Sequence, residues 1–242
     1  MQKLEQYAEI VGKQLYDRYN FQCTAIAKQF PLLMSGLWIE SEKLKSFDKV
    51  ETVLKHGTLS IGYTGLAECL TILTGKNHGE TEEAQTLGIE LVSDLEEIAM
   101  QLSERYNLNF NILATSNPKL EERFLRKDQS KFGIIAGVTD KDSYTNGNSL
   151  PTEYQGTVEE KAKIEGPYHK LTKGGNKFWA EMKAEEIEKP ESLQKLTNLI
   201  EKYDIGYTSF RIKRSKCLQC GYESTGKGLK NCPNCGRVFD IE

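Results

Sequence analysis

The sequence lacks several features that would place it in common protein classes. It contains no run of eighteen apolar residues, so no segment is long and apolar enough to cross a membrane as a helix. The polar opening MQKLEQYAEIVGKQL lacks the apolar segment of a secretory signal peptide. The formal net charge is only −3, which provides no broad basic field for nucleic acid. No Ser-His-Asp or Cys-His arrangement for nucleophilic catalysis stands out among the three histidines.

Cysteine, in contrast, is patterned. Four of the six cysteines form two C-x-x-C pairs near the C-terminus: Cys217, Cys220, Cys232 and Cys235. Two such pairs, each followed by a glycine, favour a tetrahedral structural zinc site with four thiolate ligands. Iron in the same site and paired redox disulfides remain alternatives. This cysteine usage fits a reducing compartment, so we expect a cytoplasmic protein.

Apolar periodicity predicts the elements of the N-terminal half. Residues 4–30 repeat apolar side chains every three to four positions, which predicts one long helix ended by Pro31. Ser46 is a candidate cap for a short helix that ends at Gly57. A strand over 58–63, two helices over 66–73 and 80–106, and a strand over 108–116 then form a β-α-β crossover. This order predicts an α/β protein with a buried parallel strand pair.

The C-terminal half is more polar. We predict a charged helix over 120–133, a long loop, a strand after a turn at Gly174-Gly175, a helix begun by Pro190, and a strand over 205–212. The domain prediction is one α/β unit at residues 1–212, followed by a zinc ribbon at residues 213–242. A ribbon this short has no core of its own and needs a metal to fold.

Polar segments near the first two strands are candidate ligand sites. The turn Gly62–Gly65 suits either a phosphate or plain strand-to-helix geometry. The loop Thr115-Ser116-Asn117-Pro118 lies where α/β sheets bind ligands, although an ordinary connection remains the alternative.

Other polar or reactive residues are interpreted structurally. We expect the histidines to be hydrogen-bonding structural residues and the isolated cysteines, Cys23 and Cys69, to be buried in the core. Glu121 and Glu122 are predicted to face solvent. A basic cluster beside the zinc pattern would suit nucleic acid, but few aromatic residues interleave it: Arg211, Lys213, Arg214 and Lys216.

Longer strings carry a family resemblance. KHGTLSIGYTGLAECLTILTGKNHGE, LNFNILATS, GVTDKDSYTN, EGPYHKLTKGG and IGYTSF occur in an order that resembles the anaerobic (class III) ribonucleoside-triphosphate reductases. The resemblance implies part of the ten-stranded α/β barrel of glycyl radical enzymes, with a C-terminal zinc ribbon. It also implies that the four paired cysteines hold a structural Zn²⁺.

The resemblance further implies an activity. In that family a radical-SAM activase generates a glycyl radical, a cysteine thiyl abstracts the ribose 3′ hydrogen, and ribonucleoside triphosphates become deoxyribonucleoside triphosphates. We associate five residues with substrate, through backbone and hydroxyl contacts, and none with catalysis: Gly57, Thr58, Thr115, Ser116 and Asn117.

Several family motifs are absent from these 242 residues. Neither an M-G-C-R-type thiyl motif nor an R-V-x-G-Y-type radical motif occurs, and residues 115–118, 145–151 and 174–176 depart from the usual T-P-A-E, T-N-S-x-H-x-P and G-G-H. We therefore expect one polypeptide of a split or truncated reductase. It would be inactive without partner chains that carry the thiyl cysteine and radical glycine, and would work in a homo- or hetero-oligomer. The alternatives are a non-catalytic remnant or regulatory nucleotide-binding or partner-binding module and, less favoured, a nucleic-acid-binding ribbon.

Overall fold

A computed structural model describes residues 2–115, 117–182, 184–212, 215–217, 219–224 and 231–237. The chain divides into two compact units, with the first at residues 1–154 and 167–176 and the second at 155–166 and 177–242. Across the described ranges, no helix has both the length and the apolar character that a membrane span requires.

The first unit is built on a parallel strand pair. Strand β1 (Thr58–Tyr63) pairs with β2 (Asn109–Ala114), in a register that runs from Thr58 opposite Asn109 to Tyr63 opposite Ala114. Gly175 continues the ladder through a parallel bridge to Leu113. The helices are α1 (Gln2–Cys23), α2 (Glu51–Leu54), α3 (Leu66–Thr74), α4 (Glu82–Tyr106) and α5 (Pro118–Phe132).

The core of this unit joins α1, α3, α4 and the two strands. Val92, Leu102 and Ile112 are almost fully buried in it. Helix α1 approaches α4 closely at Gly12, where an added Cβ would stand 2.4 Å from Leu102 Cδ1. Glycine thus brings two long helices into direct contact over the sheet.

The second unit has a smaller core. The unit begins with residues 158–166 of helix α6 (Val158–Leu171), whose last residues belong to the first unit. Its other described elements are β3 (Phe178–Met182), α7 (Ala184–Ile187), α8 (Pro190–Lys202), β4 (Thr208–Ile212), β5 (Ser215–Lys216) and β6 (Glu223–Ser224). Strands β3 and β4 pair in parallel, and β5 and β6 pair antiparallel. Ala162, Phe178, Ala180 and Ile205 form the buried centre. The boundary at residue 212 between an α/β unit and a zinc ribbon stays a prediction.

The β-α-β prediction is confirmed, with β1 at its predicted bounds and α3 closed by Gly75 in the left-handed conformation.

The first helix is shorter than predicted and ends at Cys23 rather than before Pro31. The chain turns there because Ile26 forms an antiparallel bridge with Lys49, a contact between distant segments that overrides the local periodicity. The Ser46 cap is also wrong, because α2 begins at Glu51 and the Ser46 carbonyl accepts a hydrogen bond from Lys28.

Helix α6 was not predicted. Its sequence contains Gly166 and Pro167, which are strong helix breakers in a local reading. The buried side chains of Ala162, Glu165 and Tyr168 recur every three residues, as expected for a helix with one packed face.

Candidate functional site

A cleft of about 480 Å³ opens at the carboxyl ends of β1 and β2 in the first unit. Its polar side is formed by the strand-to-helix turn, the loop after β2 and two carboxylates: Gly62, Thr64, Gly65, Glu68, Thr115 and Asp128. Parallel sheets commonly bind ligands at this edge, where loops diverge from the strand ends.

A loop from distant sequence closes over the glycine turn. The amides of Gly65 and Leu66 donate to the carbonyls of Thr145 and Gly147, at 2.8 and 3.2 Å. These donors at the start of α3 are therefore already paired with protein acceptors. This pairing supports the strand-to-helix reading of the turn over the phosphate-binding alternative.

Glu68 holds that loop in place. One carboxylate oxygen, Oε1, accepts hydrogen bonds from Lys141 Nζ at 2.9 Å and from both the amide and hydroxyl of Thr145. The Glu68 side chain is only 3% exposed, so the bridge to Lys141 is largely shielded from water. The sequence analysis did not identify Glu68 as a site residue. The one feature that could have indicated it is a carboxylate in the first turn of an otherwise apolar helix segment, LAECL.

Glu121 is buried as well, which corrects the prediction of a solvated side chain. Its Oε1 accepts a hydrogen bond from the Asn117 amide at 3.1 Å and lies 3.4 Å from the Thr64 hydroxyl. Asn117 in turn caps α5 by accepting from the Leu120 amide. The helix start is thus occupied by side chains of its own segment.

The rest of the cleft lining is mostly apolar. Ile72, Leu73 and Phe124 are part of it while remaining 59%, 58% and 42% exposed. Cys69 also lines the cleft and is exposed, so its assignment to the core is wrong, whereas Cys23 is buried as predicted. The cysteine lies on the cleft side of α3, because the neighbouring Ala67, Glu68 and Leu70 take the buried positions.

The structure separates the predicted substrate residues into two groups. Thr115 lines the cleft and Asn117 follows it at the start of α5, whereas Ser116 lies outside the described residues. Gly57 and Thr58 lie at the opposite, amino end of β1, roughly 17 Å away along a six-residue strand. The two groups therefore cannot contact the same chemical group of a ligand.

The histidines lie in structural positions. His78 is buried, its Nε2 is 2.9 Å from the Asn148 carbonyl, and burial lowers the pKa of its imidazole to about 4. Burial also lowers the pKa of His169 to about 4. His56 Nε2 lies 2.8 Å from Glu40 on the surface. The contacts of His78 and His56 support the structural interpretation, whereas the buried Nε2 of His169 has no hydrogen-bond partner among the described residues.

The four paired cysteines meet in the second unit. Their Sγ atoms all lie within 4.8 Å of one another, with Cys217 to Cys235 at 3.6 Å and Cys220 to Cys232 at 3.5 Å. Sulfurs bound tetrahedrally at about 2.3 Å from one ion lie about 3.8 Å apart, so the set fits a four-thiolate metal site. A hydrogen bond with the Asn234 side chain lowers the pKa of the Cys220 thiol to about 6, whereas burial and the neighbouring cysteine sulfurs raise the pKa of Cys235 to about 11.

One member of the predicted basic cluster packs against an aromatic ring. The Arg211 guanidinium stacks 3.9 Å from the Trp179 ring, so this cation already has a partner within the second unit. Lys213 and Arg214 lie outside the described residues.

Comparison with known proteins covers the whole chain. A family model described as anaerobic ribonucleoside-triphosphate reductase matches residues 1–242. The anaerobic ribonucleoside-triphosphate reductases of Salmonella typhimurium and Escherichia coli are each 31% identical to the chain over 206 residues, covering 80% of it and 28% of their own length. That of Enterobacteria phage T4 is 28% identical and 31% covered.

Solved structures show the same fold. The anaerobic ribonucleotide reductase from Thermotoga maritima with glycerol in the active site superposes with a TM-score of 0.68, covering 99% of this chain and 36% of that one at 20% identity. The same reductase in complex with dATP and CTP gives a TM-score of 0.68 at 19% identity. The α/β prediction is confirmed, and the chain contains part of the barrel.

Proposed function

The chain belongs to the anaerobic ribonucleoside-triphosphate reductase family, and we propose that residues 1–242 supply the nucleotide-contacting α/β part and the structural zinc site of such an enzyme. The observation that carries the proposal is the family match over all 242 residues. The chain spans about 28% of the length of the bacterial relatives named above. The activity of a whole reductase is therefore proposed for an assembly to which these residues contribute.

The proposed substrate is a ribonucleoside triphosphate, contacted at the carboxyl ends of β1 and β2. Thr115 is the best-placed contact, because its hydroxyl lies in the cleft with only a 3.5 Å contact to the Leu113 carbonyl. Asn117 and Ser116 would contribute further contacts to the nucleotide from the same loop. Gly57 and Thr58, at the far end of β1, would contact a different part of the nucleotide.

The proposed cofactor is one structural Zn²⁺ held by the four paired cysteines. When bound, the ion would supply a cross-link between two turns of a chain region with little apolar core. The cysteine sulfurs would fill every position of a tetrahedral site, which leaves none for substrate. We therefore assign the site a structural role.

The radical chemistry is proposed to take place on residues other than 1–242. Residues 1–242 contain no M-G-C-R-type or R-V-x-G-Y-type motif. Chains or segments that carry these motifs, together with a radical-SAM activase, are the proposed partners, in a homo- or hetero-oligomer and in the cytoplasm. Hydrogen abstraction from ribose would take place against the nucleotide held partly by this unit.

A non-catalytic nucleotide-binding or regulatory role is the second candidate. It is favoured by one specific observation, the departures from the family's usual strings at residues 115–118, 145–151 and 174–176. The two candidates share nucleotide binding and differ in whether radical-bearing partners produce turnover.

Calorimetric titration of CTP and ATP into residues 1–242 tests the shared step. We expect binding in the wild type and binding about tenfold weaker in Thr115→Val, which removes one hydroxyl hydrogen bond to a charged ligand. Thr197→Val is the matched control, because Thr197 lies on α8 and bonds its own helix carbonyl. Absence of nucleotide binding, or equal affinity in Thr115→Val, would contradict the proposed site.

A further inference from the structure

We propose that the outer face of α1 binds α1 of a second copy of the chain, with the two helices antiparallel. The outer face is defined by five residues: Tyr7, Ile10, Gln14, Asp17 and Phe21. The inference goes beyond the proposed function, because it assigns a surface for self-association that does not depend on nucleotide binding.

The outer face lies opposite the packed side of α1. Ala8, Gly12 and Cys23 are the buried residues of the helix, and Gly12 approaches Leu102 of α4. At about 100° per residue, the five outer residues point roughly 180° away from that contact. All five are exposed, so the rest of the described chain does not cover this side of α1.

Three large apolar side chains occupy this solvent side. Tyr7, Ile10 and Phe21 are 67%, 52% and 78% exposed. A surface helix normally carries polar residues on the side away from its core, so apolar residues on one line there indicate a partner surface. The five positions recur at alternating intervals of three and four residues, which is the spacing of a seam between two packed helices.

The order of residues on the outer face makes it complementary to itself. When two copies of α1 run antiparallel with a two-fold axis between positions 15 and 16, Ile10 of each copy lies opposite Phe21 of the other. Gln14 then lies opposite Asp17 of the other copy, where its side-chain amide donates a hydrogen bond to the carboxylate. The apolar pairs lie toward the ends and the polar pairs at the centre, and the axis repeats each of them.

Charge favours this alignment over the parallel one. In a parallel pair in register, Asp17 would face Asp17 of the second copy. In the antiparallel pair, Lys13 lies beside Asn20 of the second copy. Val11 lies beside Arg18 of the second copy, so no like charges meet along the seam. A second copy of the chain therefore matches both the apolar and the charged groups of the outer face.

Sedimentation velocity measures the association directly. The zinc-loaded chain is studied under reducing conditions, so that the exposed Cys69 forms no disulfide between copies. The outer face spans about 21 Å of helix, which is short for a stable dimer interface. We expect a reversible monomer–dimer equilibrium with a dissociation constant on the order of 10 μM.

Substitutions at Gln14 test the alignment, because this exposed polar side chain can change without loss of core packing. Gln14→Lys places an ammonium opposite Asp17 of the second copy and should tighten the dimer about fivefold, since symmetry makes the new ion pair twice. Gln14→Glu places like charges together and should weaken the dimer about fivefold. Adding Asp17→Lys to Gln14→Glu exchanges the charges and should restore at least the wild-type affinity.

A second pair of variants tests the apolar contact. Phe21→Lys removes the apolar pair at both ends of the seam and should weaken association at least about twentyfold. Ile134→Lys is the matched control, because Ile134 is 71% exposed, lies beyond α5 and is not part of the outer face. Circular dichroism should show the same helix content in every variant, because all the substituted side chains are exposed.

Three results would overturn the inference: a monomer at every concentration up to about 200 μM, equal weakening by Phe21→Lys and Ile134→Lys, or Gln14→Lys and Gln14→Glu that shift the affinity in the same direction or leave it unchanged. A monomeric chain that binds CTP in the calorimetric titration would overturn this inference and leave the proposed function standing. A dimer with the expected responses that binds no nucleotide would support this inference and contradict the substrate assignment.

Discussion

Gly221 and Gly236 occupy equivalent positions in two matching cysteine turns. Each has a φ of 71°, and each amide donates to the carbonyl of the first cysteine of its pair, Cys217 at 2.8 Å and Cys232 at 2.7 Å. The left-handed conformation is inexpensive for glycine and strained for other residues. The repeated backbone geometry, beyond the cysteine spacing alone, brings four sulfurs into one cluster.

Replacing Gly221 by alanine should weaken metal binding, because a Cβ strains the left-handed turn by about 1 kcal/mol and shifts the cysteine sulfurs. The expected result is about fivefold lower zinc affinity in competition with a chromogenic chelator. Gly206→Ala is the control, because Gly206 has open space at its Cβ position and no positive φ. Equal losses in both variants would contradict a specific role for the turn.

Metal content tests the ligand assignment itself. Protein purified under reducing conditions should contain about one zinc per chain, bound by four sulfurs. Cys232→Ser should lower zinc retention while the circular dichroism of the α/β elements stays nearly unchanged, because the ribbon depends on its own metal. Elemental analysis that finds no metal, or X-ray absorption that shows oxygen or nitrogen ligands, would refute the site.

Acid should destabilise the first unit through His78. Since burial holds the folded pKa near 4, the unfolded chain binds a proton at this side chain as pH falls below about 6.5, and the folded protein does not. The stability contributed by His78 is full above that pH and is lost toward pH 4, by about 2 kcal/mol between pH 7 and pH 5. His169, whose pKa burial also lowers to about 4, adds to the loss in the same range. Urea unfolding should show a smaller pH effect in His78→Gln, and the wild-type effect in the surface control His56→Gln.

A larger side chain at the contact between α1 and α4 should destabilise the first unit. Gly12→Ala places a Cβ against Leu102 and should lower the free energy of unfolding by about 1–3 kcal/mol, despite the better helix propensity of alanine. Lys13→Ala, at an exposed neighbouring position, should change stability by less than about 0.5 kcal/mol. Greater stability in Gly12→Ala would show that the two helices are not in close contact.

Local signals were sufficient for some elements. Alternation over β1 and the glycines at 65 and 75 defined the strand, turn and α3, because the tertiary structure agrees with local preference there. Local signals failed where distant contacts decide the conformation, as at Ile26, which leaves the helical path to pair with Lys49. They also failed at α6, where packing tolerates Pro167 inside the helix.

The same distinction holds for the sites. Four cysteines at short spacing could be recognised as a cluster, because each pair is local and the chemistry of thiolates is specific. The cleft could not be predicted from the sequence. Glu68 holds the loop only when Lys141 and Thr145, more than seventy positions later, fold back onto α3. Burial of Glu121 was likewise invisible, since α5 shows a strongly charged sequence.

An anaerobic reduction assay tests most directly whether these residues work as part of a reductase. Residues 1–242 are incubated with activase, S-adenosylmethionine, reductant and CTP, with and without polypeptides that carry the thiyl-cysteine and radical-glycine motifs. The proposed function predicts no deoxycytidine triphosphate from residues 1–242 alone and turnover when the partners are added. At limiting CTP this turnover should be about tenfold lower in Thr115→Val, in line with its weaker binding. Turnover without partners, or none with natural partners that bind, would contradict it.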